Sequence, residues 1–241
     1  MIDSFFFYPR SNNPCYCKQW KSSELILNIN QHQLQGWFVE IADPESPIVI
    51  YYGGNAEDIT ITLSYLEETK FASLLIMNYR GFGKSTGRPT QKVVLSDALL
   101  IYDYLIQNYK VNPSKIFLVG RSIGASVAAY VSSQRPVGGL ILLTPFDSII
   151  GFLPKFLNFF PIRNCLAPYF NTSKYLEHFN GKMLIIAAGK DEVVPRSSLE
   201  NLLTKFHEKI TYVEIKEADH QNVSEFPEYW ATIEKYIHSN S

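Results

Sequence analysis

The chain has 241 residues, 46% of them hydrophobic and 19% charged, with 22 Lys+Arg against 23 Asp+Glu and a net charge of −1. A globular chain of this length buries roughly 70–75% of the surface its unfolded form exposes, so the composition excludes a disordered protein and one that needs staples to fold. Charges of both signs are interspersed, which excludes the basic footprint that nucleic acid requires.

Taken in chain order, the N-terminal "MIDSFFFYPR" is apolar only from Phe5 to Tyr8 and lacks a basic start, so it does not read as a signal peptide. "LILNIN" (25–30) and "LQGWFVEI" (34–41) read as two strands of a hairpin. "PIVIYYGG" (47–54) reads as a buried strand ending in glycines, and Ile59, Leu63 and Leu66 place a helix over 56–69. "FASLLIMNY" (71–79) is a strand, "GFGKSTGRPT" (81–90) a glycine-rich loop, and 91–109 a helix. "KIFLVG" (115–120) leads into a helix over 123–134, and "VGGLILLTPF" (137–146) is the next strand. "KMLIIAAG" (182–189) and "KITYVEIK" (209–216) are strands separated by a helix at 196–207, and a last helix covers about 224–238.

After the hairpin the pattern alternates strand and helix, and the strands are continuously apolar, as expected when helices cover both faces of a mostly parallel sheet. One stretch breaks the alternation. Residues 147–180 are interrupted by Pro154, Pro161 and Pro168 and hold Phe152, Phe156, Phe159, Phe160, Tyr169 and Phe170. No run approaches the ~20 apolar residues of a membrane span. The cysteines Cys15, Cys17 and Cys165 are too few and wrongly spaced for a disulfide framework or a zinc site, which suits a reduced, cytoplasmic setting.

In such sheets ligands sit outside the carboxyl ends of the strands, so function is sought in the loops there. Gly120-Arg121-Ser122-Ile123-Gly124 stands between a strand and a helix. Two glycines flanking a serine leave room for strand and helix to pass closely while the hydroxyl is held out on a sharp turn. A serine nucleophile needs a base, and the base needs an orienting acid. Of His32, His178, His207, His220 and His238, His220 falls in the loop after the last strand, in "KEADHQN". Asp191, in "AAGKDEVVP", ends the preceding strand. Asp147 is the rival acid, with Asp219 and Glu192 as lesser ones. The order Ser122, Asp191, His220 is that of one serine-hydrolase architecture. An oxyanion needs two N–H donors, and the backbones of Ile123 and Asn55 are the candidates, the latter in the loop Gly53-Gly54-Asn55-Ala56.

From about residue 25 to 238 these residues resemble the α/β-hydrolase superfamily. "YYGGNAEDI" is similar to the HGNA-type oxyanion loop of one group of its serine hydrolases, and "NYRGFGKSTGRPT" to that group's Tyr-Arg-Gly loop. That group includes uncharacterised bacterial esterases and eukaryotic relatives, some of which remove acyl groups from protein cysteines. The resemblance implies an eight-stranded, mostly parallel sheet with the second strand antiparallel, helices on both faces, and one domain over 1–241 with a short aromatic cap at about 147–180. Two positions depart from the pattern. Gly53 replaces a histidine, which removes a support of the loop presenting Asn55, and Asn78 replaces an aspartate. Arg80 and Ser85 read as residues that shape the loop under the site.

The expected activity is hydrolysis of carboxylic esters or thioesters of acyl chains, with no metal or cofactor. Gly54, Phe146, Phe152 and Phe156 are the candidate substrate contacts. The expected partner is a small-molecule or acyl-chain ester, without nucleic acid and without a membrane span, leaving peripheral membrane contact open. A serine peptidase and a non-catalytic binding protein of the same fold are the alternative readings.

Overall fold

A computed structural model describes residues 3, 6–41, 43, 45–69, 71–152 and 169–241. Its frame is an eight-stranded sheet: β1 (Glu24–Ile29), β2 (His32–Val39), β3 (Ile48–Tyr52), β4 (Ser73–Met77), β5 (Ile116–Arg121), β6 (Gly139–Leu143), β7 (Met183–Ala188) and β8 (Ile210–Ile215). The spatial order is β1-β2-β4-β3-β5-β6-β7-β8. β2 runs antiparallel to both β1 and β4, and every other neighbouring pair is parallel.

The central strands are buried along their whole length, so alternate side chains feed two separate cores. Ile50, Leu118, Leu142 and Ile185 face one core, and Val49, Phe117, Ile141 and Ile186 the other. The helices in chain order are α1 (Pro14–Gln19), α2 (Ile59–Thr69), α3 (Gln91–Tyr109), α4 (Ile123–Gln134), α5 (Thr172–Leu176), α6 (Arg196–Lys205) and α7 (Pro227–His238). α3, α4 and α6 cover the first core, and α2 and α7 the second.

α3 shows why these segments become helices. Val94, Ala98, Ile101, Tyr102 and Leu105 recur on one face, and Thr90 Oγ1 caps the start by accepting the Val93 N–H at 3.2 Å. Lys110 ends the helix in the left-handed conformation at φ 51°.

The sequence-based elements and the structure differ mainly at ends. The helix expected from 56 begins at Ile59, because residues 53–58 form a structured loop instead. The strand expected over 137–146 is only Gly139–Leu143. Two short helices, α1 and α5, have no strong periodic signal. α5 lies in the interrupted stretch 147–180, and the end of that stretch belongs to the core: Phe170, Leu176 and Phe179 are buried. Residues 153–168 of the expected cap, with Phe156 and Cys165, lie outside the described residues, as does the side chain of Phe152.

Among the described residues no helix is long and apolar enough to cross a membrane, and no cluster of three or more His, Cys, Asp or Glu is grouped to hold a metal ion. Cys15 and Cys17 are free thiols.

Candidate active site

Four loops at the carboxyl ends of β3, β5, β7 and β8 converge. Ser122 follows β5 at φ 53°, ψ −115°, a conformation that a residue with a Cβ rarely adopts. Close packing on both sides enforces it. A Cβ on Gly120 would stand 2.1 Å from the Gly124 carbonyl oxygen, and one on Gly124 would stand 2.0 Å from the Tyr52 carbonyl oxygen. Only glycine lets the helix start press this closely on β3 and β5. The Ser122 N–H donates to the Leu143 carbonyl at 2.9 Å, fixing the turn to β6.

His220 Nε2 lies 3.2 Å from Ser122 Oγ, and its Nδ1 lies 2.8 Å from Asp191 Oδ2. His220 is buried to 7% exposure. The other oxygen of Asp191 accepts the N–H groups of Val193 at 2.9 Å and Val194 at 2.8 Å. Burial pushes the Asp191 carboxyl up, but the bond to His220 and the Val194 N–H outweigh it and hold the group below the ordinary carboxylate range. An ionised carboxylate beside Nδ1 selects the tautomer that leaves Nε2 free to accept the serine proton.

The rival acids sit elsewhere. Asp147 is bound to Ser198 and Asn201 of α6, and Asp219 accepts the N–H groups of Gln221 and Asn222 in its own turn. Glu192 is exposed.

The loop after β3 is held at three points. The Tyr79 hydroxyl donates to the Gly53 carbonyl at 2.9 Å, the Gly54 N–H donates to Glu57 Oε2 at 2.6 Å, and Asn55 Oδ1 accepts the Tyr8 N–H at 2.9 Å. A Cβ at position 53 would meet Ile59 Cγ2 at 2.8 Å, so Ile59 fills the space that a side chain would take. The Asn55 and Ile123 N–H groups have no acceptor among the described residues. The Gly54 N–H, by contrast, is committed to Glu57.

In the wall beside Ser122 lies a largely buried pair. Arg121 Nη1 is 3.7 Å from Glu57 Oε2, with the two side chains 13% and 8% exposed. Desolvation alone would lower the Arg121 pKa, but Glu57, with smaller contributions from Tyr51, Tyr229 and Asp191, reverses the sign and raises it.

A cleft of about 370 Å³ opens over Ser122. Gly54, Asn55 and Phe146 line it, with the charged Glu57 and Arg121, and so do three apolar residues that the sequence did not single out: Phe6, Ile149 and Val193. No local pattern marks these three. Phe6 arrives from the N-terminal segment, where Phe7 packs on Phe170 and Phe6 on Tyr169.

The remaining motif residues are structural. Arg80 makes a two-pronged pair with Asp97 of α3, both bonds 2.8 Å. Ser85 Oγ accepts the Gln35 N–H at 2.9 Å and donates to the Asn78 carbonyl at 3.2 Å. Asn78 donates its amide to Asn12 Oδ1 at 2.7 Å, a bond an aspartate at that position would not make, and Asn12 in turn donates to Asp58 at 2.8 Å.

No protein-family model matches the chain. An uncharacterised protein of Mycobacterium tuberculosis is 29% identical over 193 residues, which cover 79% of this chain and 69% of that protein. Among solved structures, an alpha-beta hydrolase from Vibrio vulnificus superposes with a TM-score of 0.75 at 18% identity, covering 93% of this chain and 86% of the other. The Pyrococcus furiosus esterase Pf2001 superposes with a TM-score of 0.73 at 19% identity, covering 97% and 98%. The chain has the α/β-hydrolase fold.

Proposed function

We propose that the protein is a serine hydrolase cleaving carboxylic esters or thioesters of acyl chains, of the group with an HGNA-type oxyanion loop. The observation that carries this reading is the unbroken line from Ser122 Oγ through His220 to Asp191, at 3.2 and 2.8 Å. A hydroxyl on a strained turn, a base in contact with it and a carboxylate behind the base form a nucleophile activated for acyl transfer.

In this reading His220 Nε2 takes the Ser122 proton as Oγ bonds to the carbonyl carbon. The carbonyl π electrons move to oxygen, and the oxyanion accepts the N–H groups of Asn55 and Ile123. Each such donor is worth roughly 2.7–4 kcal/mol in the transition state. Collapse breaks the bond to the leaving alcohol or thiol, which receives the proton from His220. Water, deprotonated by His220, then attacks the acyl-enzyme, and Ser122 is released with its proton restored. Asp191 stabilises the imidazolium at each stage.

The cleft walls support an apolar acyl group as substrate. Phe6, Phe146, Ile149 and Val193 give an acyl chain an apolar stretch of wall, while the charged Arg121 and Glu57 that also line the cleft are paired with each other, and an apolar pocket with a few convergent polar groups is the usual form of such a site. The esterase among the structural neighbours is in line with an ester bond as the target.

A fluorophosphonate probe tests the reading directly. Covalent labelling of the wild type at Ser122, abolished in Ser122→Ala, is the expected result. A folded wild type that the probe leaves unmodified contradicts it.

A further inference from the structure

We propose that Arg121 is a positioning residue for hydrolysis, a guanidinium that locks the histidine loop and the oxyanion loop to the strand carrying the nucleophile. The inference rests on the reading of Ser122, His220 and Asp191 as the reacting groups.

Arg121 stands between Gly120 and Ser122. Its side chain is only 13% exposed and stands in the wall of the cleft over Ser122, with Glu57. Nη2 donates to two successive carbonyls, those of His220 and Gln221, each at 2.9 Å. Nη1 stands 3.7 Å from Glu57 Oε2. That same oxygen accepts the Gly54 N–H at 2.6 Å, and the other oxygen of Glu57 accepts the Tyr51 hydroxyl at 2.9 Å and the Thr62 hydroxyl at 2.8 Å. One cation thus ties the backbone of the base to the loop that presents Asn55, through a carboxylate with its own fixed partners.

The chemistry of the side chain matches the task. Arginine is charged at any working pH and offers several donors in a rigid plane, so it can hold two carbonyls and a carboxylate at once. The carbonyls it grips lie in the catalytic loop itself, so a change in the grip moves His220 relative to Ser122. Displacement of reacting groups by about 1 Å costs about 10²-fold in rate. A residue serving only the fold would act on stability and leave the rate per intact site unchanged.

The test measures kcat and KM for a p-nitrophenyl ester in wild type, Arg121→Met and Arg121→Lys. Each rate is divided by the concentration of sites titrated with the fluorophosphonate. For Arg121→Met the expected kcat per titrated site is about 10²-fold lower, with KM within about threefold. Arg121→Lys, which keeps the cation but not the planar fork, should fall between the two, more than about twofold below wild type. A per-site kcat within twofold of wild type in either variant overturns the proposal. If Arg121→Met does not fold, Arg121→Lys alone decides the matter. A wild type that neither reacts with the probe nor hydrolyses the ester overturns the hydrolase reading and the positioning role with it. An active wild type with unaffected variants overturns the positioning role alone.

Discussion

Asn55 Oδ1 accepts the backbone N–H of Tyr8 at 2.9 Å, so the N-terminal segment is fastened to a loop that lines the cleft with Ser122. The segment's Phe6 meanwhile forms part of the cleft wall. Nothing in "FFFYP" or in "YYGGNAEDI" indicates that these two stretches meet. The contact provides a support for the loop that carries the Asn55 N–H.

Removal of the Asn55 side chain should therefore weaken catalysis without removing the backbone donor. Asn55→Ala loses one hydrogen bond worth about 1 kcal/mol and loosens the presentation of its own N–H. The expected result is a fall in kcat of about tenfold, well short of the loss of a whole oxyanion donor. Steady-state kinetics beside circular dichroism separates this effect from unfolding.

Phe6→Ala should act on substrate choice. The wall it removes is apolar and belongs to the same cleft as Phe146 and Ile149. kcat/KM should fall for longer acyl chains, by about tenfold if one well-packed side chain's contact is lost, and change little for acetyl esters. A p-nitrophenyl ester series from acetyl to palmitoyl gives the profile.

Gly124→Ala places a methyl group 2.0 Å from the Tyr52 carbonyl oxygen, a backbone atom that cannot step aside. Helix and strand must separate, at a cost of about 3 kcal/mol or more. For a chain of this size that lowers Tm by about 6–12 °C. Differential scanning calorimetry measures it, and the activity of any surviving fold should drop with it because Ser122 rides on the same turn.

Asp191 links the site to acid stability. Its carboxyl is held below the ordinary range in the folded state, against about 3.9 in an unfolded chain. The folded state therefore binds fewer protons between the two values, so stability rises with pH there. The contribution is complete above the unfolded value and is lost as pH falls through the folded one. The stability difference between wild type and Asp191→Asn, measured by urea unfolding, should shrink as pH drops from 6 to 3. At neutral pH the same variant should lose about 10⁴-fold in kcat, because the amide favours the wrong histidine tautomer.

The fold was readable in the sequence because continuously apolar strands alternate with amphipathic helices, and the ends of β3, β5, β7 and β8 carry turn residues in recognisable order. Ser122, Asp191 and His220 stand out for the same reason: a glycine-flanked serine at a strand end, and an acid and a histidine at two later strand ends. What escaped the sequence is tertiary. Arg121 and Glu57 meet only because β3 and β5 are neighbours, so neither charge reads locally as part of a pair. Phe6, Ile149 and Val193 share a cleft without sharing a pattern. α5 escaped because five residues carry too little periodicity to stand out beside the prolines before them.

Hydrolysis of p-nitrophenyl esters across acyl chain lengths by wild type and Ser122→Ala, side by side, tests the role of Ser122 most directly. Turnover should peak at one chain length in the wild type and fall on the order of 10⁶-fold in the variant. Turnover that survives Ser122→Ala, or a folded wild type that cleaves none of the series, would contradict it.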